Sequence, residues 1–158
     1  MMRRCFQCLA SFFLLWSGAA CFGQTIKIRI TDVKEGRPLG KLTVSVGLVY
    51  DKNEKPPPDV DTHFLLETDS NGDTQFTLPK PPPSHVAAQA HLTWEHWHCG
   101  CAMLIATRDL LQNGFVAGDP RSKAARAAAP LKADPGEILF VASRFSFWER
   151  LLYPLTKE

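Results

Sequence analysis

From Thr25 onward, apolar and polar residues alternate with a period of two: Ile26, Ile28 and Ile30 on one side, Lys27, Arg29 and Thr31 on the other. That period marks a strand with one face buried. The turn formers Glu35-Gly36-Arg37-Pro38-Leu39-Gly40 end it, after which Leu42, Val44, Val46 and Leu48 alternate with Thr43, Ser45 and Gly47 as a second strand. The pattern predicts a third strand over 62–68 and a fourth over 74–78, separated by Asp69-Ser70-Asn71-Gly72-Asp73. Asn-Gly between strand-like runs is a strong hairpin signal because both residues tolerate positive φ, so these two strands are expected to pair. Val86, Ala88, Ala90, Leu92 and Trp94 alternate as a long fifth strand, which 101–106 either extends or follows as a sixth after a kink at Gly100. The run EILFVAS at 137–143 is a last, fully buried strand.

Between these runs the chain changes character. DKNEKPPPDVD at 51–61 is charged and proline-rich, without donors at Pro56 to Pro58 to join a ladder, and reads as a solvated loop. Pro79-Lys80-Pro81-Pro82-Pro83 is a second stiff connector. Thr107 is a good N-cap for a short helix over 108–113, with Asp109 near its positive end and Gly114 at its C-terminal cap. GDPRSKAARAAAPLKADP at 118–135 carries few large apolar residues and is expected to be an excursion from the packed domain. At the C-terminus, Phe145, Trp148, Leu151, Leu152 and Leu155 fall at helical intervals, which predicts a short amphipathic helix stopped by Pro154. The expected fold class is therefore all-β: a β-sandwich of about seven strands with a short helix near 108–113 and a short C-terminal helix.

The first two dozen residues alter the composition. Arg3 and Arg4 precede an apolar run from Leu9 to Trp16 and a small-residue region, the three parts of a secretory signal peptide over 1–23. The run is shorter than the about 20 residues that cross a bilayer. Cleavage after Gly23 would release a protein that is periplasmic or secreted; a lipoprotein anchored at Cys21, from the lipobox-like Gly18-Ala19-Ala20-Cys21, is the alternative. Without Arg3 and Arg4 the 18 basic residues become 16 against 16 acidic ones. That balance gives no electrostatic case for nucleic acid. Cys5, Cys8 and Cys21 also leave, so Cys99 and Cys101 remain as the cysteines of the exported chain. The resulting organisation is a signal peptide at 1–23, one sandwich domain at 24–143 and an amphipathic tail at 144–158.

Two stretches resemble a known family. TIKIRITDVKEGRPLGKLTVSV at 25–46 is similar to the strand, D-x-x-x-G-x-P-L-x-G, strand opening of bacterial carboxypeptidase-regulatory-like domains. TDSNGDTQFTLP at 68–79 resembles their T-D-x-x-G-x-F-x-L-P segment. The resemblance covers roughly 25–98 and departs from the pattern in its long 51–61 loop. It implies a transthyretin-like (prealbumin-like) β-sandwich, related in shape to immunoglobulin-like folds, serving as a non-catalytic module of exported proteins, and it brings no catalytic residue.

The chemistry-bearing residues concentrate at 91–101. His91, His96, His98, Cys99 and Cys101 are five potential ligands for copper or zinc. On an extended strand, however, His96 and His98 fall on one face and Cys99 and Cys101 on the other, so one ion cannot easily use both sets. In an oxidising compartment two lone cysteines usually pair, and a Cys99–Cys101 disulfide across one glycine would be strained and open to thiol exchange. The spacing Asp69, Asn71, Asp73 imitates the start of an EF-hand, but Gly72 comes one place early and Lys80 stands where the bidentate glutamate belongs. No G-x-S-x-G or H-E-x-x-H is present, so no enzyme class is expected. The expectation is a non-catalytic module of the bacterial cell envelope without a resident cofactor, its partner an envelope protein or polysaccharide. The tail residues Phe145, Trp148, Leu151, Leu152 and Leu155 are candidates for contact with a partner or the membrane surface. The alternative is a small metal-binding or thiol-redox protein centred on 91–101.

Overall fold

A computed structural model of the chain describes residues 23–33, 35–92, 97–99, 103–118 and 131–144, with 97–99 described through the backbone. Its elements are β1 (Thr25–Asp32), β2 (Thr43–Val49), β3 (His63–Glu67), β4 (Asp73–Thr77), β5 (His85–His91), β6 (Trp97–Cys99), β7 (Met103–Ala106), α1 (Thr107–Asn113), β8 (Phe115–Ala117) and β9 (Glu137–Arg144). They form two sheets: a four-stranded one ordered β3-β2-β5-β7, and a five-stranded one in which β4, β1 and β9 are successive neighbours. The far side of β9 is shared, β8 lying parallel along Ile138–Phe140 and β6 antiparallel along Ala142–Arg144. The chain is an all-β sandwich with one short helix among the described residues.

The inward halves of the alternating runs make the core. Ile26, Ile28 and Ile30 from β1, Val44, Val46 and Leu48 from β2, Val86, Ala88 and Ala90 from β5, and Ile138 and Phe140 from β9 all pack in one cluster. Each fully buried aliphatic or aromatic side chain of this kind contributes about 1.5–3 kcal/mol relative to exposure. β9 is buried on both faces from Glu137 to Ser143, as befits a central strand flanked by parallel neighbours. It pairs in parallel with β1 from Lys27↔Glu137 to Asp32↔Ala142.

Two expectations change, and one strand that the sequence did not announce is added. The fifth strand stops at His91, and Trp97–Cys99 joins the other sheet through Trp97↔Arg144, His98↔Ser143 and Cys99↔Ala142. The cause lies in the neighbouring strand: His91 pairs with Thr43, the first residue of β2, and before it Lys41 has φ +62°, so the ladder has no further partner there. Second, Asp69–Asp73 is a tight turn but not a hairpin, because β3 pairs with β2 and β4 pairs with β1. The added strand is β8, whose three residues are too few for its period to show.

The turn between the sheets is held from both sides. Thr68 belongs to the four-stranded sheet: its N–H donates to the Leu42 carbonyl (2.9 Å), and its hydroxyl oxygen accepts from the Leu42 N–H (3.0 Å). Gly72 belongs to the other: its carbonyl accepts from the Ile30 N–H at 3.0 Å, and the Ile30 carbonyl accepts from Leu39 N–H at 3.0 Å. Asp69 Oδ1 accepts from the N–H groups of Asn71 (2.8 Å) and Asp73 (3.0 Å), closing the loop on itself. Gly72 has φ +72°, and a Cβ there would lie 2.6 Å from the Ile30 carbonyl oxygen. The glycine is thus required twice, by conformation and by space.

Candidate functional site

The residues predicted to carry chemistry do not gather into one described site. His91 closes β5 in the four-stranded sheet, exposed and opposite Thr43, while His98 and Cys99 occupy β6 in the other sheet. The register puts positions 98 and 99 in line with Ser143 and Ala142, adjacent residues of β9. His96 and Cys101 lie outside the described residues, as do Phe145, Trp148, Leu151, Leu152 and Leu155 with the expected C-terminal helix, and residues 1–22 of the expected signal peptide. Among the described residues, no group of three or more His, Cys, Asp or Glu side chains could hold a metal ion.

Charge collects on the outer face of the five-stranded sheet. Arg29 Nε lies 3.1 Å from Asp73 Oδ1, Arg29 Nη2 lies 3.4 Å from Glu137 Oε1, and Lys27 Nζ lies 3.9 Å from Asp73 Oδ2. The hydrogen bond that Arg29 donates to Asp73, with the charge of Glu137 behind it, holds the Arg29 guanidinium even more firmly protonated than usual. Glu137 is almost fully buried and accepts from the Asp134 N–H through Oε2 at 2.9 Å. Its carboxylate is tolerated inside β9 because both oxygens face a donor or a cation. The two acids that imitate a calcium loop are likewise engaged: Asp69 by backbone N–H groups, which hold its carboxyl below the usual range, Asp73 by Arg29 and Lys27. At the far end of β2, burial and then the nearby charge of Glu54 push the Tyr50 phenol up.

Two large exposed apolar side chains lie on the outer face of the four-stranded sheet. There Leu65 of β3 and Leu104 of β7 are 64% and 62% exposed. Between them the middle strands present Ser45, Gly47, Ala87 and Gln89, all half-buried. The register aligns Leu65 with Ser45 and Gln89, and Leu104 with Ala87 and Gly47. With strands about 4.8 Å apart, the two leucines flank a shallow floor about 14 Å across. His63 and His85 share this face with His91, at its two ends, and His85 Nδ1 lies 3.1 Å from the Ser84 hydroxyl.

These leucines were missed by sequence reasoning, although the signal was present. In HFLLE the inward residues are Phe64 and Leu66, so Leu65 is an apolar residue in the polar phase; in MLIA, Met103 and Ile105 point inward and Leu104 does not. An apolar residue on the wrong beat of a half-buried strand is the mark of a second apolar face.

No family model matches the chain, and no curated protein matches it. Solved structures similar to it include 3-chlorocatechol 1,2-dioxygenase from Rhodococcus opacus 1CP, at 16% identity and TM-score 0.40 over 78% of this chain and 60% of that one. Catechol 1,2-dioxygenase from Pseudomonas arvilla C-1 is similar at 14% identity and TM-score 0.41, over 80% of this chain and 54% of that one. The shaft pilin SpaA of Lactobacillus rhamnosus GG is similar at 9% identity and TM-score 0.34, over 79% and 47%. The chain therefore spans between 47% and 60% of the length of these solved chains. At such identities and scores none of them carries an argument about the activity or partners of this chain.

Proposed function

We propose that this chain is an exported, non-catalytic interaction module of the bacterial cell envelope, and that it takes its partner, an envelope protein or polysaccharide, on the outer face of the four-stranded sheet. The observation that carries this reading is the pair of exposed leucines, Leu65 and Leu104, astride a floor made by Ser45, Gly47, Ala87 and Gln89. Exposed apolar side chains grouped on one face favour association, and small residues between them leave the backbone accessible to a partner. Export rests on the signal-peptide pattern at 1–23. The transthyretin-like, carboxypeptidase-regulatory-like assignment is supported by the packing of its two motif segments on each other, through Leu39, Lys41 and Leu42 on one side and Thr68 to Gly72 on the other.

The test is charge insertion on the face. Leu65→Glu and Leu104→Glu alter exposed positions, so the unfolding free energy from urea titration stays within about 0.5 kcal/mol of the parent. The variants should nevertheless lose co-sedimentation with purified envelope material that the parent shows. Unchanged co-sedimentation of the double variant would contradict the assignment of this face.

A further inference from the structure

β3 pairs with β2 alone and closes one side of the four-stranded sheet. The Leu48 N–H donates to the Thr62 carbonyl at 2.8 Å and the Thr68 N–H to the Leu42 carbonyl at 2.9 Å, so the even-numbered residues of this stretch turn their backbone groups toward β2. In an antiparallel ladder the alternate residues turn theirs away. His63, Leu65 and Glu67 therefore aim N–H and C=O groups at the free edge of the sheet. One of these donors is occupied, because the His63 N–H donates to Asp61 Oδ1 at 3.0 Å. Edge strands are usually blunted by lysine, proline or a bulge. Residues 62–67 hold neither lysine nor proline, and the ladder with β2 runs without a bulge from Thr43↔Glu67 to Gly47↔His63.

A second β3, laid antiparallel on this edge about a two-fold axis at Leu65, sets Leu65 against Leu65 and each His63 against the Glu67 of the other copy. These are the residues whose backbone groups face the edge, so the pairing is of the hydrogen-bonded kind and needs no rearrangement. The side chains agree with it. All three are exposed, an imidazole N–H donates to a carboxylate, and the leucines meet as a cross-strand apolar pair. A two-fold contact requires this kind of self-complementarity, residue i meeting j and j meeting i. The edge strands β4 and β7 lack it: about Gln75, Asp73 would meet Thr77, and MLIA carries no charge. We propose that the chain pairs with a second copy of itself through β3, joining two four-stranded sheets into one continuous sheet with a shared outer face. The proposal goes beyond the interaction-module reading, since it needs the backbone edge of β3 where that reading needs the outer face; Leu65 is the residue common to both. Strands this short bury little area, so the dimer is weak and concentration-dependent.

Sedimentation velocity of the purified chain from about 1 µM to about 1 mM should show a reversible monomer–dimer equilibrium. Amide hydrogen exchange followed by NMR across the same range reads the register. Exchange at the Leu65 and Glu67 N–H groups should slow most with rising concentration, and at Phe64 and Leu66, already bonded to β2, less. His63→Glu sets carboxylate against carboxylate at two symmetric positions and should weaken the dimer at least about tenfold; adding Glu67→Lys should restore it. A photoreactive residue at 65 should also yield an adduct of two chains, which one at 104 does not. Leu104→Glu, on the opposite edge, should dimerise as the parent does while losing the partner of the open face, which separates failure of this proposal from failure of that reading. A chain still monomeric at about 1 mM, a dimer whose Leu65 and Glu67 amides exchange as in the monomer, or one indifferent to His63→Glu would overturn it.

Discussion

Gly72 and Gly36 form a matched pair for testing how the two sheets are joined. Both have positive φ, +72° and +63°. They differ in space: a Cβ on Gly36 meets nothing within 4 Å, whereas one on Gly72 would lie 2.6 Å from the Ile30 carbonyl oxygen and 3.1 Å from the Leu39 nitrogen. Gly36→Ala thus measures the left-handed backbone conformation alone, about 1–2 kcal/mol. That loss is offset in part by the lower chain entropy of alanine in the unfolded state, about 0.4–1 kcal/mol. Gly72→Ala adds a collision with a backbone atom that cannot easily move, because Ile30 is held by its bonds to Gly72 and Leu39. Separating them breaks at least one buried hydrogen bond, for a further cost of about 1–3 kcal/mol. The expected losses are about 1 kcal/mol for Gly36→Ala and about 3 kcal/mol for Gly72→Ala, read from urea unfolding with unchanged m-values. Equal losses in the two variants would refute the claim that close approach at Gly72 locks β1 to the turn.

Other expectations follow from the same geometry. Thr68→Val removes the acceptor for the Leu42 N–H at a site 1% exposed, and should cost about 1–3 kcal/mol in urea unfolding. Phe140→Ala empties the centre of the core and should cost about 3–5 kcal/mol, against less than about 0.5 kcal/mol for Leu65→Ala on the surface. The Asp69 carboxyl is held below its ordinary value chiefly by the Asp73 N–H, so its contribution is complete at neutral pH and is lost as pH falls below about 4 and through the folded-state value. In Asp69→Asn that part of the acid loss should vanish from urea midpoints measured across this range. For 91–101, native intact mass of the purified protein should show no retained ion and a gain of two hydrogens on mild reduction; an ion lost in His91→Ala would favour the metal alternative instead.

Much of the fold was legible in residues whose period is set by local packing. Ile26, Ile28 and Ile30, or Val44, Val46 and Leu48, announce a buried face without reference to anything distant. What could not be read was which strand pairs with which. Asn71-Gly72 specifies a tight turn, and the turn is there, but whether it joins neighbours in one sheet or bridges two depends on Leu42 gripping Thr68 and Ile30 gripping Gly72, contacts remote in sequence. Likewise the alternation from Val86 gives no hint that β5 ends where β2 begins, at Thr43. The candidate site was hidden for a related reason. Histidines and cysteines at 91–101 draw attention by their chemistry, and the chain puts His91 in one sheet and His98 and Cys99 in the other, whereas Leu65 and Leu104 look ordinary until register brings them to one face.

The claim that this outer face is where the protein meets its partner is tested most directly by photo-crosslinking in intact cells. A photoreactive residue is placed at 65 or 104 and, as a control, at Lys27 on the outer face of the other sheet. The account predicts the same discrete adduct from 65 and 104 and none from 27. Adducts from 27 alone, or none from any of the three, would contradict it.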